Sequence, residues 1–299
     1  MDNSRSNAVG KQWQGRTDGA GWMHSALSVI MRYAPLRAMY LFADVFVVPF
    51  YLAFSKSSIP IYHYFRKIRG NGIAKSSLGT CRTFSQFSKN VLDKFRMYAG
   101  GTFSFEVDNM ELYDTLSRSD TGFLIFSAHI GNYELAGYTF KASDKRYNAL
   151  LFADEAETIM KYRDKMFRGN NIRMIPVSPD MSHLIVMSNA LADGESVSIP
   201  ADRVLEGQRT FSVEFLGHEA EFPAGPFLLA AKRNLSVLSI QVMKDSAKKY
   251  KVFIKKLDGE GTSAHELAQS LLKSYTSHLE SVLDLYPHQW FNFYEFWKS

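Results

Sequence analysis

The sequence predicts an α/β protein: a layered mixed sheet flanked by helices, with membrane-associated helices at its N-terminus. Three observations carry this. From about residue 103 short apolar runs alternate with stretches of helical period, the signature of strands and helices that cover a sheet. The chain has 299 residues, 46% hydrophobic and 22% charged. That length buries a core without staples, and that balance excludes a disordered chain or a coiled coil. The third is a 17-residue apolar run near the start, Ala38 to Phe54, interrupted by one charge, Asp44, and one proline, Pro49.

The apolar run would reach about 25 Å as a helix, against a hydrocarbon core of about 30 Å. Asp44 near its middle would cost roughly 2.5–3.5 kcal/mol on an insertion scale. The run starts too late for a cleavable signal, and no small-residue cleavage site follows it. Residues 1–70 hold nine basic residues against three acidic ones, a net +6. The whole chain is +5, so the other 229 residues sum to −1. Arg32, Arg37, Lys56, Arg66, Lys67 and Arg69 flank the run, and cations around an apolar segment favour an anionic leaflet over a nucleic acid groove. A full span, a monotopic or re-entrant anchor and a buried core helix all remain open. Aromatics at 14% also point to a surface that meets apolar material.

The chain divides into a polar, Gly-rich tail (1–20), an anchoring helical segment (21–70) and an α/β domain (71–299). A helix is expected over Ser76–Ala99, with Leu78, Cys81, Phe84, Phe87, Val91, Leu92 and Phe95 at helical spacing and Gly100-Gly101 as its stop. Strands are expected at Phe103–Val107, Phe123–Ser127, Asn148–Phe152, Ile172–Val177, Ser196–Pro200, Phe211–Phe215, Ser236–Val242 and Lys251–Leu257, with an antiparallel hairpin around Phe211–Phe215. Helices are expected at Asn132–Lys141, Ala156–Arg168, Met181–Asp193, Gly225–Arg233 and Ser263–Leu285.

The informative stretch is FLIFSAHIGNYELAG, Phe123 to Gly137. A buried strand ends in Ser127 and Ala128, His129 follows, and Gly131 permits a tight turn before a helix. Functional groups gather where sheet strands end. On one continuous helix His129 and Glu134 would lie roughly 140° apart and could not meet. With His129 in the strand-to-helix turn, Glu134 can reach back, fix the tautomer and raise the basicity of the imidazole. Spacing alone equally allows His129 to be a helix cap and Glu134 a partner of the helix dipole. A histidine near its ordinary pKa of about 6.5 suits removal of a hydroxyl proton. Cys81 alone excludes an internal disulfide framework and a multi-cysteine metal site. The sequence carries no Gly-x-Ser-x-Gly, no phosphate-binding glycine loop and no His-Glu-x-x-His, which disfavours serine hydrolase, nucleotide-binding and zinc-protease chemistry.

The string HIGNYELAG resembles the His-x-x-x-x-acid motif of glycerolipid acyltransferases, and more closely the His-x-Gly-Asn-Trp-Glu form of the bacterial lipid A late (lauroyl and myristoyl) acyltransferases. Ile199 to Val242 resembles that family's second block through Asp202, Phe215-Leu216-Gly217 and Ala224-Gly225-Pro226, and YPHQWFNFYEFW, Tyr286 to Trp297, resembles its Pro-x-Gln-Trp terminus. The resemblance implies a glycerol-3-phosphate-acyltransferase-like fold. It implies transfer of a fatty acyl chain from an acyl carrier protein or coenzyme A thioester to a hydroxyl of a lipid A-type glycolipid, at the cytoplasmic face of the bacterial inner membrane. Its partners would be that lipid, the acyl carrier and the membrane surface, with no nucleic acid and no cofactor beyond the thioester. His129 would be the general base and Glu134 its orienting partner. Asn132, Asp202, Arg203, Arg209 and Gly225 would serve the substrates: Asp202 by assisting or binding acceptor, the two arginines by holding an oxyanion, Asn132 by holding the turn and Gly225 by opening a helix N-terminus. The acyl chain would lie in an apolar tunnel, with the aromatics of residues 84–105 as candidate lining. Two departures stand out. Tyr133 replaces a tryptophan, and Phe152-Ala153-Asp154-Glu155 stands where the family often has Arg-Pro-x-Asn-Asn. The same chemistry on an amino-acid lipid, a lysophospholipid or a pigment lipid therefore stays open, as do thioesterase side activity and a catalytically silent membrane-docking relative.

Overall fold

The structure, a computed structural model, describes residues 30, 32–135, 145–152, 171–177, 180–205 and 207–297. Its centre is a seven-stranded mixed sheet in the order β1-β9-β8-β2-β5-β3-β4. The strands are β1 (Ser104–Asp108), β2 (Phe123–Ser127), β3 (Tyr147–Phe152), β4 (Ile172–Val177), β5 (Ser196–Pro200), β8 (Val237–Lys244) and β9 (Lys249–Lys256). A separate antiparallel hairpin joins β6 (Thr210–Phe215) to β7 (His218–Pro223). Every pairing in the large sheet is parallel except β8 with β9. All five residues of β2 and all eight of β8 are buried, as central strands covered on both faces must be.

The pleat of β2 divides the core. Leu124 and Phe126 face one cluster with Val197, Phe227 and Leu279, and Phe123 and Ile125 face another with Leu238, Ile240 and Tyr250. The first face is covered by α6 (Ala224–Lys232) and α7 (Ala264–Leu285), where Phe126 meets Phe227 and Tyr275 edge-on. The second is covered by α4 (Met110–Arg118), whose Tyr113 packs on Phe123. A further helix, α5 (Ser182–Ala192), lies against β4 and β5. Sequence periodicity gives the strands to within two residues at each end. It misses α4, which is short, and β7, whose opening His218-Glu219 disguises the alternation. The helix expected at Ala156–Arg168 lies outside the described residues, and the one expected at Asn132–Lys141 is described only as a short turn of 3₁₀ helix, Tyr133–Leu135.

The N-terminal apolar run forms α1 (Leu36–Phe54), long and apolar enough to cross a membrane. It is continuous through a π turn at Ala43–Val47, just before Pro49. The wider turn relieves the carbonyl four residues back, which a proline ring would otherwise meet. One face, with Tyr40, Ala43 and Val48, is buried against the protein. Leu41, Phe42, Val45, Phe46, Phe50 and Phe54 are each more than half exposed. Asp44 does not face outward: its two oxygens take Ser85 Oγ at 2.6 Å and Lys89 Nζ at 2.8 Å. Both partners lie on α3 (Ile73–Tyr98), the 26-residue helix beneath α1. The charge that argued against insertion thus points into the protein. The stripe predicted for this helix is only partly inward: Phe84, Leu92 and Phe95 are buried, whereas Leu78 is half exposed. Between α1 and α3 runs α2 (Ser58–His63), ending in a second π turn.

A buried ionic cluster ties these helices to the sheet. Asp93 of α3 accepts from Tyr40 of α1, Tyr250 of β9 and the ammonium of Lys244 at the end of β8. Burial pushes the Asp93 carboxyl up and the Lys244 ammonium down, and each opposes the shift of the other. Removing one partner leaves the other charge buried alone, at about 3–5 kcal/mol. Lys244→Met should therefore lower unfolding free energy by about 3–5 kcal/mol in a denaturant titration, and Lys244→Met with Asp93→Leu by less. A single variant within 1 kcal/mol of the parent would contradict this account.

Candidate active site

Strands β2 and β5 are parallel neighbours in register, with Ser127 opposite Pro200. Two residues past each strand stand His129 and Asp202, so the pairing sets them side by side at the same sheet edge. Ala201 N–H donates to Ser127 O at 2.9 Å and carries the alignment past the strand ends. Asp202 then takes His129 with both oxygens. Oδ2 accepts the His129 backbone N–H at 2.8 Å, and Oδ1 meets Nδ1 at 2.8 Å. The Asp202 side chain is 2% exposed and the His129 side chain 10%.

Burial alone would raise the Asp202 carboxyl. The imidazole, the Arg203 guanidinium and the His129 backbone N–H outweigh it and hold the carboxyl below its ordinary value. An ionised Asp202 accepts Nδ1–H, which leaves the lone pair on Nε2. Burial lowers the His129 pKa below 6.5, and Arg203 adds to the lowering; Asp202 and Glu134 oppose it. The imidazole is therefore neutral at neutral pH, a base with its tautomer set.

The expected orienting role of Glu134 is corrected by this geometry. The ring nitrogen is held by Asp202, while the Glu134 carboxylate takes Lys94 Nζ at 2.9 Å and Tyr98 Oη at 3.3 Å, both on α3. Glu134 acts on His129 through its charge. The physical reason is the turn: Gly131, at φ +57°, folds the chain so that Tyr133–Leu135 begins a separate short helix beside α3. A Cβ at Gly131 would stand 2.1 Å from Val242 O, so only glycine fits. The expectation that Asn132 serves a substrate is also corrected. Its side chain is buried and turned inward, donating to Asn90 O at 3.2 Å and Tyr250 Oη at 3.3 Å. These bonds tie the turn to α3 and β9.

Arg203 sits beside the pair and donates Nη2 to Phe291 O at 3.1 Å. Arg209 and Gly225 are exposed, before β6 and at the opening of α6, and the structure gives neither a contact with His129 or Asp202. Of the aromatics of residues 84–105, Phe84 and Phe87 pack on Phe293, Phe103 and Phe105 pack on Tyr250, and Tyr98 donates to Glu134. Among the described residues, a groove of about 50 Å³ is lined by Ser127, Ser198 and Pro200, by Tyr133 and Glu134, and by residues of β3 and β4 that include Tyr147, Leu150 and Met174. The His129 ring meets Tyr133 edge-on with centroids 5.3 Å apart, so imidazole and groove share a wall.

Sequence reasoning did not foresee the part played by the C-terminal segment. Phe291 N–H donates to His129 O at 3.1 Å, Gly131 N–H donates to Gln289 O at 2.9 Å, and Ile130 and Trp290 form an antiparallel bridge. The available signal was the Pro-x-Gln-Trp string, which marks a resemblance without saying what it touches.

The model of the bacterial lipid A biosynthesis acyltransferases matches residues 101–299. The comparison with curated proteins finds no match. Among solved structures, the 1-acyl-sn-glycerophosphate (LPA) acyltransferase of Thermotoga maritima aligns with 88% of this chain and 98% of its own, at 14% identity and a TM-score of 0.38. The family match spans about two thirds of the chain, from before β1 through the C-terminal segment, and contains His129, Glu134 and Asp202. The protein is an acyltransferase and belongs to the bacterial lipid A biosynthesis acyltransferase family.

Proposed function

We propose that the protein moves a fatty acyl chain from an acyl thioester, borne by acyl carrier protein or coenzyme A, to a hydroxyl of a lipid A-type glycolipid. The observation that carries this reading is the double grip of Asp202 on His129, which directs Nδ1–H to the carboxylate and leaves the proton-accepting lone pair on Nε2, with Tyr133 between the ring and a groove. Nε2 takes the proton of the acceptor hydroxyl as its oxygen attacks the thioester carbonyl carbon. The tetrahedral oxyanion forms near Arg203, whose charge reaches His129. As the intermediate collapses, the C–S bond breaks, and the leaving sulfur takes the proton from Nε2, which restores the neutral imidazole. The products are an ester and a free thiol. The thioester is already activated, so this sequence calls for no acyl-enzyme, metal or cofactor.

The exposed apolar face of α1 supports membrane association, and the basic residues around it support the anionic cytoplasmic face of the bacterial inner membrane. With Asp44 turned onto Lys89, the apolar face can enter lipid without carrying that charge along. A second acceptor class is favoured by one observation. Asp154 and Glu155 stand where the family often has an arginine, which suits an acceptor without phosphate, such as an amino-acid lipid. Incubation with radiolabelled acyl carrier protein and extracted membrane lipids, followed by identification of the labelled product, separates the two.

His129→Ala should lower the transfer rate by roughly 10²–10⁴-fold for the missing base. Near-parental turnover of the purified variant would end the assignment. Because burial lowers the His129 pKa, the base stays deprotonated further into acid than an ordinary histidine. The acidic limb of kcat/KM against pH should accordingly have its midpoint below 6.5, and a midpoint above 7 would contradict the environment described.

A further inference from the structure

The proposed chemistry uses nothing of the Pro-x-Gln-Trp segment, yet that segment holds the His129 turn by two backbone hydrogen bonds, Gly131 N–H to Gln289 O and Phe291 N–H to His129 O. β8 pairs with β2 only as far as Ser239, opposite Phe126. β2 then leaves the sheet to form the His129 turn, while β8 runs on to Lys244 with β9 on its other edge. The edge that β2 abandons would otherwise keep buried polar groups without partners. Val242 O is taken by Asn132 N–H at 2.7 Å. Lys244 is taken by the side chain of Gln289: Oε1 accepts the Lys244 backbone N–H at 2.9 Å, and Nε2 donates to the Lys244 carbonyl at 2.8 Å. A primary amide offers one donor and one acceptor at about the spacing of a peptide group, so Gln289 stands in for the missing strand residue. It is 3% exposed. Its own carbonyl accepts Gly131 N–H, and two residues later Phe291 N–H holds the His129 carbonyl.

We propose that Gln289 is a positioning residue for His129: its amide fastens the C-terminal strap to the end of β8, and the strap's backbone fixes the turn that carries the imidazole. The proposal rests on the reading of His129 as the base. Asp202 sets the direction of the ring, and the strap sets where the turn stands relative to the sheet edge and the groove. Cutting the amide link leaves Lys244 N–H and C=O buried without partners and frees one end of the strap. A displacement of about 1 Å at a reacting group costs on the order of 10²-fold in rate.

The test compares Gln289→Ala and Gln289→Glu with the parent, using radiolabelled acyl carrier protein and extracted membrane lipids, with folding checked by circular dichroism. Glutamate keeps the acceptor for Lys244 N–H but sets an oxygen against the Lys244 carbonyl. The expected result is a fall in kcat of about 10–100-fold with KM for the thioester unchanged within twofold. In a His129→Ala background the same substitutions should leave the residual rate unchanged within twofold, since a residue that acts through His129 has nothing left to position. Parental kcat in both Gln289 variants, with His129→Ala inactive, overturns the proposal and spares the base assignment. An equal loss in the His129→Ala background also overturns it, showing a purely structural role. If Gln289→Ala does not fold, Gln289→Glu carries the same comparison. Full activity of His129→Ala overturns the base assignment itself.

Discussion

The site depends on one side chain that answers two needs of one residue. Asp202 binds His129 by its backbone and by its ring, so the position of the turn and the tautomer of the imidazole are fixed together. A carboxylate this buried would cost several kcal/mol if left alone. Two bonds to an ionised acceptor, at roughly 1.5–3 kcal/mol each, and the charge of Arg203 offset most of that cost. The arrangement is strict in consequence. A neutral carboxyl would lose its grip on Nδ1–H, and a displaced turn would leave the carboxylate buried without partners.

Helix α3 links the apolar outer face to this site. Near its middle Ser85 and Lys89 hold Asp44 of α1, and Asp93 takes Tyr40 of the same helix. Within the same turns Asn90 O receives the Asn132 amide, and Lys94 and Tyr98 hold Glu134. One helix thus presents polar groups to both α1 and the His129 turn. The polar residues it carries among its apolar ones are accounted for by those contacts. Glu134 belongs to this arrangement: it is anchored to α3, and its charge opposes the lowering of the His129 pKa.

The seam at the end of β2 explains why so many distant segments converge. A parallel strand that leaves its sheet exposes the edge of its neighbour, and buried backbone groups must find partners. Here they come from the catalytic turn, through Asn132, and from the C-terminal segment, through Gln289. The closure of that seam is also what locates His129. The aromatic side chains that follow Gln289 complete the packing: Trp290 stacks with Tyr64 of the N-terminal segment and meets Phe215 of β6, so the strap is pinned from both sides.

The alternation of apolar runs and helical stretches by itself determined the α/β class and nearly every strand, because burial on both faces demands continuous apolar residues such as Phe123–Phe126. It also marked the end of β2, where small residues precede Gly131, as a place where His129 could stand in a turn or cap a helix. It could not determine the partner of that histidine. Spacing pointed to Glu134, five residues away along the chain, whereas the residue that holds the ring is Asp202, 73 positions away. Contact between them is a product of strand register, Ser127 against Pro200, and register is decided only when the sheet assembles. The same holds for Asp44, a charge at odds with its apolar run until α3 brings Lys89 beneath it. Local sequence sets which way a residue can point, and only tertiary packing decides what waits there.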